Sequence, residues 1–129
     1  MKKTAVLLLW CIVSTTAGLV VGSKGAEPSA CLVINSRTYS VGEVTARLKE
    51  YVQQNPVDLF VDRFSGYGVA KLAEIAPGAP ADADLALAAN HDGIGVELFF
   101  FRAGCLVYTQ ATSAMNWERV KAVVYADQT

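Results

Sequence analysis

His91 is the only histidine of the chain, and its neighbours Asn90, Asp92 and Gly93 have the character of a turn. An imidazole acts as a general base only when a nucleophile or a second titratable group is held beside it. Asp58, Asp62 and Asp92 are available, yet nothing in their spacing brings them to His91. We therefore expect no enzyme and read His91 as a solvated turn residue. Asp82, Asp84, Asn90 and Asp92 offer oxygen ligands over a short stretch, but not at the spacing of an EF-hand loop. Turn formation accounts for Asn90, Asp92 and Gly93, so neither metal nor cofactor is expected.

Anion binding is the second chemistry the residues suggest. Ser65, Gly66 and Gly68 stand between an apolar strand pattern and a helical one, the order in which backbone amides and a helix dipole can hold an anion. Lys71 would add charge. The run fails the dinucleotide fingerprint at its third glycine and has no Walker spacing. Ser65, Gly66, Gly68 and Lys71 stand as a candidate anion site beside a simpler reading, in which Ser65 caps a helix.

The third chemistry is that of thiols. Beyond the N-terminal segment only Cys31 and Cys105 remain, with no C-x-x-C spacing and no cluster of histidines to suggest redox or metal chemistry. An even count in an exported chain is read as a disulfide. The loop it closes is long, and the chain-entropy model assigns such a loop about 4.5 kcal/mol.

Export itself is inferred from the N-terminus. Lys2 and Lys3, the apolar run Ala5 to Val13 and the small residues from Ser14 to Gly25 follow the order of a secretory signal peptide. Residues 1–25 are expected to be this leader, cut after Ala17, Ser23 or Gly25. Retained, Thr4 to Gly22 is long enough to act as a membrane anchor. The residue balance then changes: losing Lys2, Lys3 and Lys24 from eleven basic residues leaves eight against twelve acidic ones. No basic stripe is left to neutralise phosphates, which argues against nucleic acid as a partner.

These residues need elements to position them. A hydrophobic content of 53% against 18% charged is enough for a real core, and residues 26–129 are expected to form a single domain. Cys31 to Arg37 reads as a first strand. Ser40 and Glu43 form a capping box, with Tyr39 and Val44 at the staple positions, so a helix is predicted from Val41 until Asn55-Pro56 stops it. Val57 to Asp62 reads as a strand and the run to about Ala76 as a helix. Pro77 to Ala83 is a loop, and Leu85 to Asn90 is assigned as strand. Gly93 to Gln110 is a β-hairpin turning at Arg102-Ala103-Gly104. A last helix, capped by Thr112 or Ser113, carries the stripe Trp117, Val120 and Val124.

The predicted fold is α+β, a small mixed sheet of about five strands in the order β-α-β-α-β-β-β-α, with helices mainly on one face. Alternation then places Leu98 and Phe100 under the helices and sends Phe99 and Phe101 to the other face. Phe99, Phe101 and Tyr108 are accordingly a candidate interface, because a large exposed apolar patch marks an interaction site. The element order from Cys31 to Ala76, behind one apolar segment, resembles that of the periplasmic domains of biopolymer-transport proteins. That resemblance implies energy coupling through an acidic residue in the membrane segment; Thr4 to Gly22 contains none. The expected function is that of a periplasmic or secreted module binding another protein or a second copy of itself. A small-ligand or anion-binding protein using the helix start from Ser65 to Lys71 is the alternative, and membrane contact is expected only through an uncleaved leader.

Overall fold

The computed structural model describes residues 29–91 and 94–126; the expected leader, residues 1–25, lies outside them. Helix α1 spans Val41–Gln54 and begins where the sequence places it. The Ser40 hydroxyl accepts from the Glu43 amide at 3.1 Å, and the Glu43 carboxylate accepts from the Ser40 amide at 3.0 Å. Strand β1 (Leu59–Ser65) follows, then α2 (Gly66–Ala73), β2 (Leu85–His91), β3 (Gly95–Arg102), β4 (Cys105–Thr112) and α3 (Ala114–Ala126). The domain is α+β, with Leu85–His91 a strand as expected.

The four strands form one sheet in the order β1-β2-β3-β4, and every neighbouring pair is antiparallel. This corrects the expectation of a mixed sheet of about five strands. The missing strand is Cys31 to Arg37, which is broken by a tight turn: Asn35 and Ser36 have φ of 51° and 68°, and Ile34 pairs with Arg37 across them. Two consecutive left-handed residues reverse the chain as in a type I′ turn. What remains on either side is too short for a ladder. Leu32 donates to the Leu106 carbonyl at 2.7 Å and Leu106 donates to Tyr39 at 2.8 Å, so the segment straps the edge of β4. The element order behind the resemblance to biopolymer-transport domains therefore lacks its first strand.

The helices also lie on both faces, not mainly on one. On one face α2 and α3 bury Phe64, Ala86, Leu98, Phe100 and Val107 beneath Leu72, Trp117 and Val124. On the other, α1 and the strap bury Leu87, Phe99, Phe101 and Leu106 beneath Tyr39, Val44 and Leu48. Strand β3 is central and doubly covered, which is why its residues read as a nearly continuous apolar run. A β-bulge between Phe100 and Phe101 resets the register: Phe100 faces Tyr108, whereas Phe101 faces Leu106. Val107 is the extra residue. Simple alternation along β4 consequently fails, and Thr109 joins the face of Phe99 instead of that of Val107.

Candidate functional site

Three polar or charged residues are fully buried among the described residues, His91, Glu97 and Thr109, and all three lie on the α1 face. The register explains their proximity. Glu97 stands directly opposite Ala89 on β2 and Ala111 on β4, while His91 faces Gly95 and Thr109 faces Phe99. His91 and Thr109 are thus each one diagonal step from Glu97, within reach of long side chains on one sheet face. From above, Tyr51 of α1 meets the His91 ring edge-on, with centroids 6.4 Å apart. Burial raises the Tyr51 phenol.

Glu97 is the unusual member. Only 1% of it is exposed, and neither carboxyl oxygen has a hydrogen-bond partner among the described residues. Its direct neighbours contribute methyl groups. Burial pushes the carboxyl up to about 9, since a charged group in an apolar setting forfeits its hydration. At neutral pH Glu97 therefore holds its proton and is a hydrogen-bond donor without charge. No group of three metal-ligating side chains occurs among the described residues.

The expected solvated His91 is corrected by this geometry: it ends β2 and is 2% exposed, covered by α1. The acids named with it in the sequence are dispersed. Asp62 accepts from the Tyr125 hydroxyl at 2.5 Å on the opposite face, and Asp58 precedes β1. Asp92 lies outside the described residues. Asp82 and Asp84 work at the far end of the sheet, where they brace the β3–β4 turn. Asp82 accepts from the amide and hydroxyl of Ser29, both at 2.8 Å, and meets Arg102 at 3.1 Å; Asp84 accepts from the Ala103 amide at 2.9 Å. The Ser29 hydrogen bonds hold the Asp82 carboxyl below its ordinary value. That turn needs Gly104, whose φ is +87°.

The candidate anion residues are adjacent but differently engaged. Ser65 precedes α2 in extended conformation and makes no side-chain cap. Gly66 has a φ of 54°, while Gly68 is buried. Lys71 meets Glu74 at 2.9 Å and lies 5.8 Å from the centre of the Tyr67 ring. Its charge is matched within α2, and the hydrogen bond to Glu74 raises the ammonium.

Cys31 and Cys105 form a disulfide, with Cα atoms 5.7 Å apart. The candidate interface of Phe99 and Phe101 is corrected: both rings are fully buried beneath α1 and the strap. Tyr108 is half-buried on the other face, where its ring fills the space a Cβ at Gly78 would take and its hydroxyl donates to Gln110 at 2.6 Å. A single acid within a doubly covered apolar strand was the available signal for Glu97, and only the sheet order makes it readable. In comparisons with known proteins, no family model, no curated protein and no solved structure matches this chain.

Proposed function

We propose that this chain is an exported, disulfide-stabilised domain, periplasmic or secreted, that acts as a non-enzymatic binding module for another protein or a second copy of itself. The observation that carries the reading is the distribution of exposed apolar side chains. Five large apolar side chains are exposed among the described residues: Val33 and Tyr67 toward the disulfide end, and three others, Phe60, Ile94 and Met115, at 58%, 43% and 80%. All three lie at one end of the sheet: Phe60 pairs with Asn90 near the end of β2, Ile94 precedes β3, and Met115 follows β4 in the first turn of α3. The disulfide and the Ser29 attachment are at the opposite end. Three exposed apolar groups at one end of a domain favour contact with a partner there, and aromatic anchors dominate such contacts. The disulfide supports export, because such bonds persist in oxidising compartments.

The test is affinity capture from envelope extract, together with light scattering for self-association, using the mature domain and a Phe60→Ser, Met115→Ser double variant. Both side chains are exposed, so the thermal midpoint should stay nearly unchanged while retained partners or dimers are lost. Equal association by the two proteins would refute the assignment of this end.

A further inference from the structure

We propose that Glu97 is a proton-dependent latch: its neutral carboxyl lets the C-terminal half of α1 close on the sheet, and its ionisation releases that half while α2 and α3 stay packed. The first ground is the uneven attachment of α1. Its N-terminal end is fixed by the capping box, by the Arg37–Glu43 ion pair and by the bridge between Ser40 and Cys105, next to the disulfide. Val44 and Leu48 are its fully buried residues. After Leu48 none is: Tyr51 and Val52 are half-buried, and Gln53 and Gln54 are exposed.

The second ground is where Glu97 lies. Tyr51 covers His91, and Glu97 is the diagonal neighbour of His91, so the buried carboxyl belongs to the weakly held half of the helix. Neither of its carboxyl oxygens has a hydrogen-bond partner among the described residues. Thr109 on β4 and His91 on β2 are its diagonal neighbours, and Tyr51 of α1 lies against the His91 ring. On β1 the residue in its row is Val61, with Leu59 and Arg63 to either side; Arg63 is exposed at the outer strand, two strands away. A carboxylate among Ala89, Ala111 and these groups must regain water, and the least firmly held cover is what yields. On the opposite face Leu98 and Phe100 of β3 are buried in an apolar cluster, and Tyr108 is the ionisable group against Phe100.

The sign follows from the raised value. A carboxyl whose folded form titrates near 9 binds a proton that the unfolded chain releases near 4.5. Closure is thus complete below the unfolded value and is progressively lost as pH rises through the folded one.

The experiment is hydrogen exchange, corrected for the intrinsic pH dependence of exchange, on the full mature domain and on Glu97→Gln between pH 6 and pH 10. In the native sequence, protection of the amides from Leu48 to Gln54 should fall at least tenfold across that range, with α2 and α3 unchanged. Glu97→Gln, isosteric and never charged, should keep its α1 protection throughout. Constant α1 protection in the native protein, simultaneous loss in all helices, or the same pH-dependent loss in the Gln variant would each overturn the latch. The carboxyl carbon shift of Glu97 supplies an independent measurement: a midpoint within the ordinary carboxylate range overturns the proposal even if the variant does not fold.

Discussion

The two faces of the sheet are built on opposite plans, although the same central strand supplies both. Under α2 and α3 the core is apolar and aromatic. Tyr125 packs edge-on against Phe64 at 5.5 Å and against Trp117 at 5.9 Å, and its hydroxyl reaches Asp62 at the margin. Under α1 the cover is one helix and a non-repetitive strap, and the layer contains His91, Glu97 and Thr109. The disulfide ties the strap of the smaller layer to β4, where Cys105 itself packs against the larger cluster. This contrast indicates that one face carries most of the apolar stabilisation, while the other depends on a disulfide and a capped helix start to stay closed over polar groups.

The sharpest way to break that comparison is to remove one ring from each face. Phe99 and Phe100 are successive, both fully buried, and point to opposite sides of β3. Phe99→Ala and Phe100→Ala should each cost about 3–5 kcal/mol in urea unfolding, through lost burial plus the cavity left behind. If Phe99→Ala costs less than about 0.5 kcal/mol, the range of exposed substitutions, then α1 does not cover that face and the aromatic interface expected from alternation is restored.

The disulfide comes next. Replacing Cys31 and Cys105 by serine should cost about 2–4 kcal/mol, a typical range for a bond closing a long loop. The loss should be concentrated on one side, because Cys105 neighbours Ser40 and Cys31 precedes the strap residue Leu32. Hydrogen exchange in the double variant should rise first in α1 and at the Leu32 and Leu106 amides. Uniform acceleration in α1, α2 and α3 would show that the two faces do not differ in how they are secured.

What was legible in the sequence and what was not divides along the same line. Ser40 and Glu43 announce a helix by a local, self-contained contact, and the Gly104 turn announces a hairpin, so α1, β3 and β4 were readable. The pairing of Cys31 with Cys105 followed from counting. The first strand failed because Asn35-Ser36 reverses the chain within an otherwise β-like run, and the apolar flanks gave no sign of it. The fate of Phe99 and Phe101 failed for another reason: alternation states that they oppose Phe100 but not that α1 crosses over them. Glu97 and His91 were invisible as a pair because their contact depends on β2 lying beside β3 in one particular register. The bulge between Phe100 and Phe101, which carries Thr109 to that face, is likewise a property of the paired strands.

The smallest effect concerns the start of α1, and it separates a secured helix end from an unsecured one. Ser40→Ala removes the hydroxyl that accepts from the Glu43 amide and should cost about 1 kcal/mol, as N-cap deletions do. The Glu43 carboxyl is held below its ordinary value first by the hydrogen bond from the Ser40 amide and then by Arg37. A depressed carboxyl contributes stability above its unfolded value and loses it as pH falls through the folded one. The contribution of Glu43 should therefore be present at neutral pH and fade in acid, the reverse of the trend assigned to Glu97. Thermal melts of Ser40→Ala and Glu43→Gln from pH 3 to pH 9 test this: each variant should converge on the native protein at acid pH only for the part carried by the Glu43 charge, so Glu43→Gln converges and Ser40→Ala retains most of its deficit. Equal deficits for both variants at every pH would mean that the cap acts through shape alone, and the N-terminal half of α1 would then have no electrostatic hold that its C-terminal half lacks.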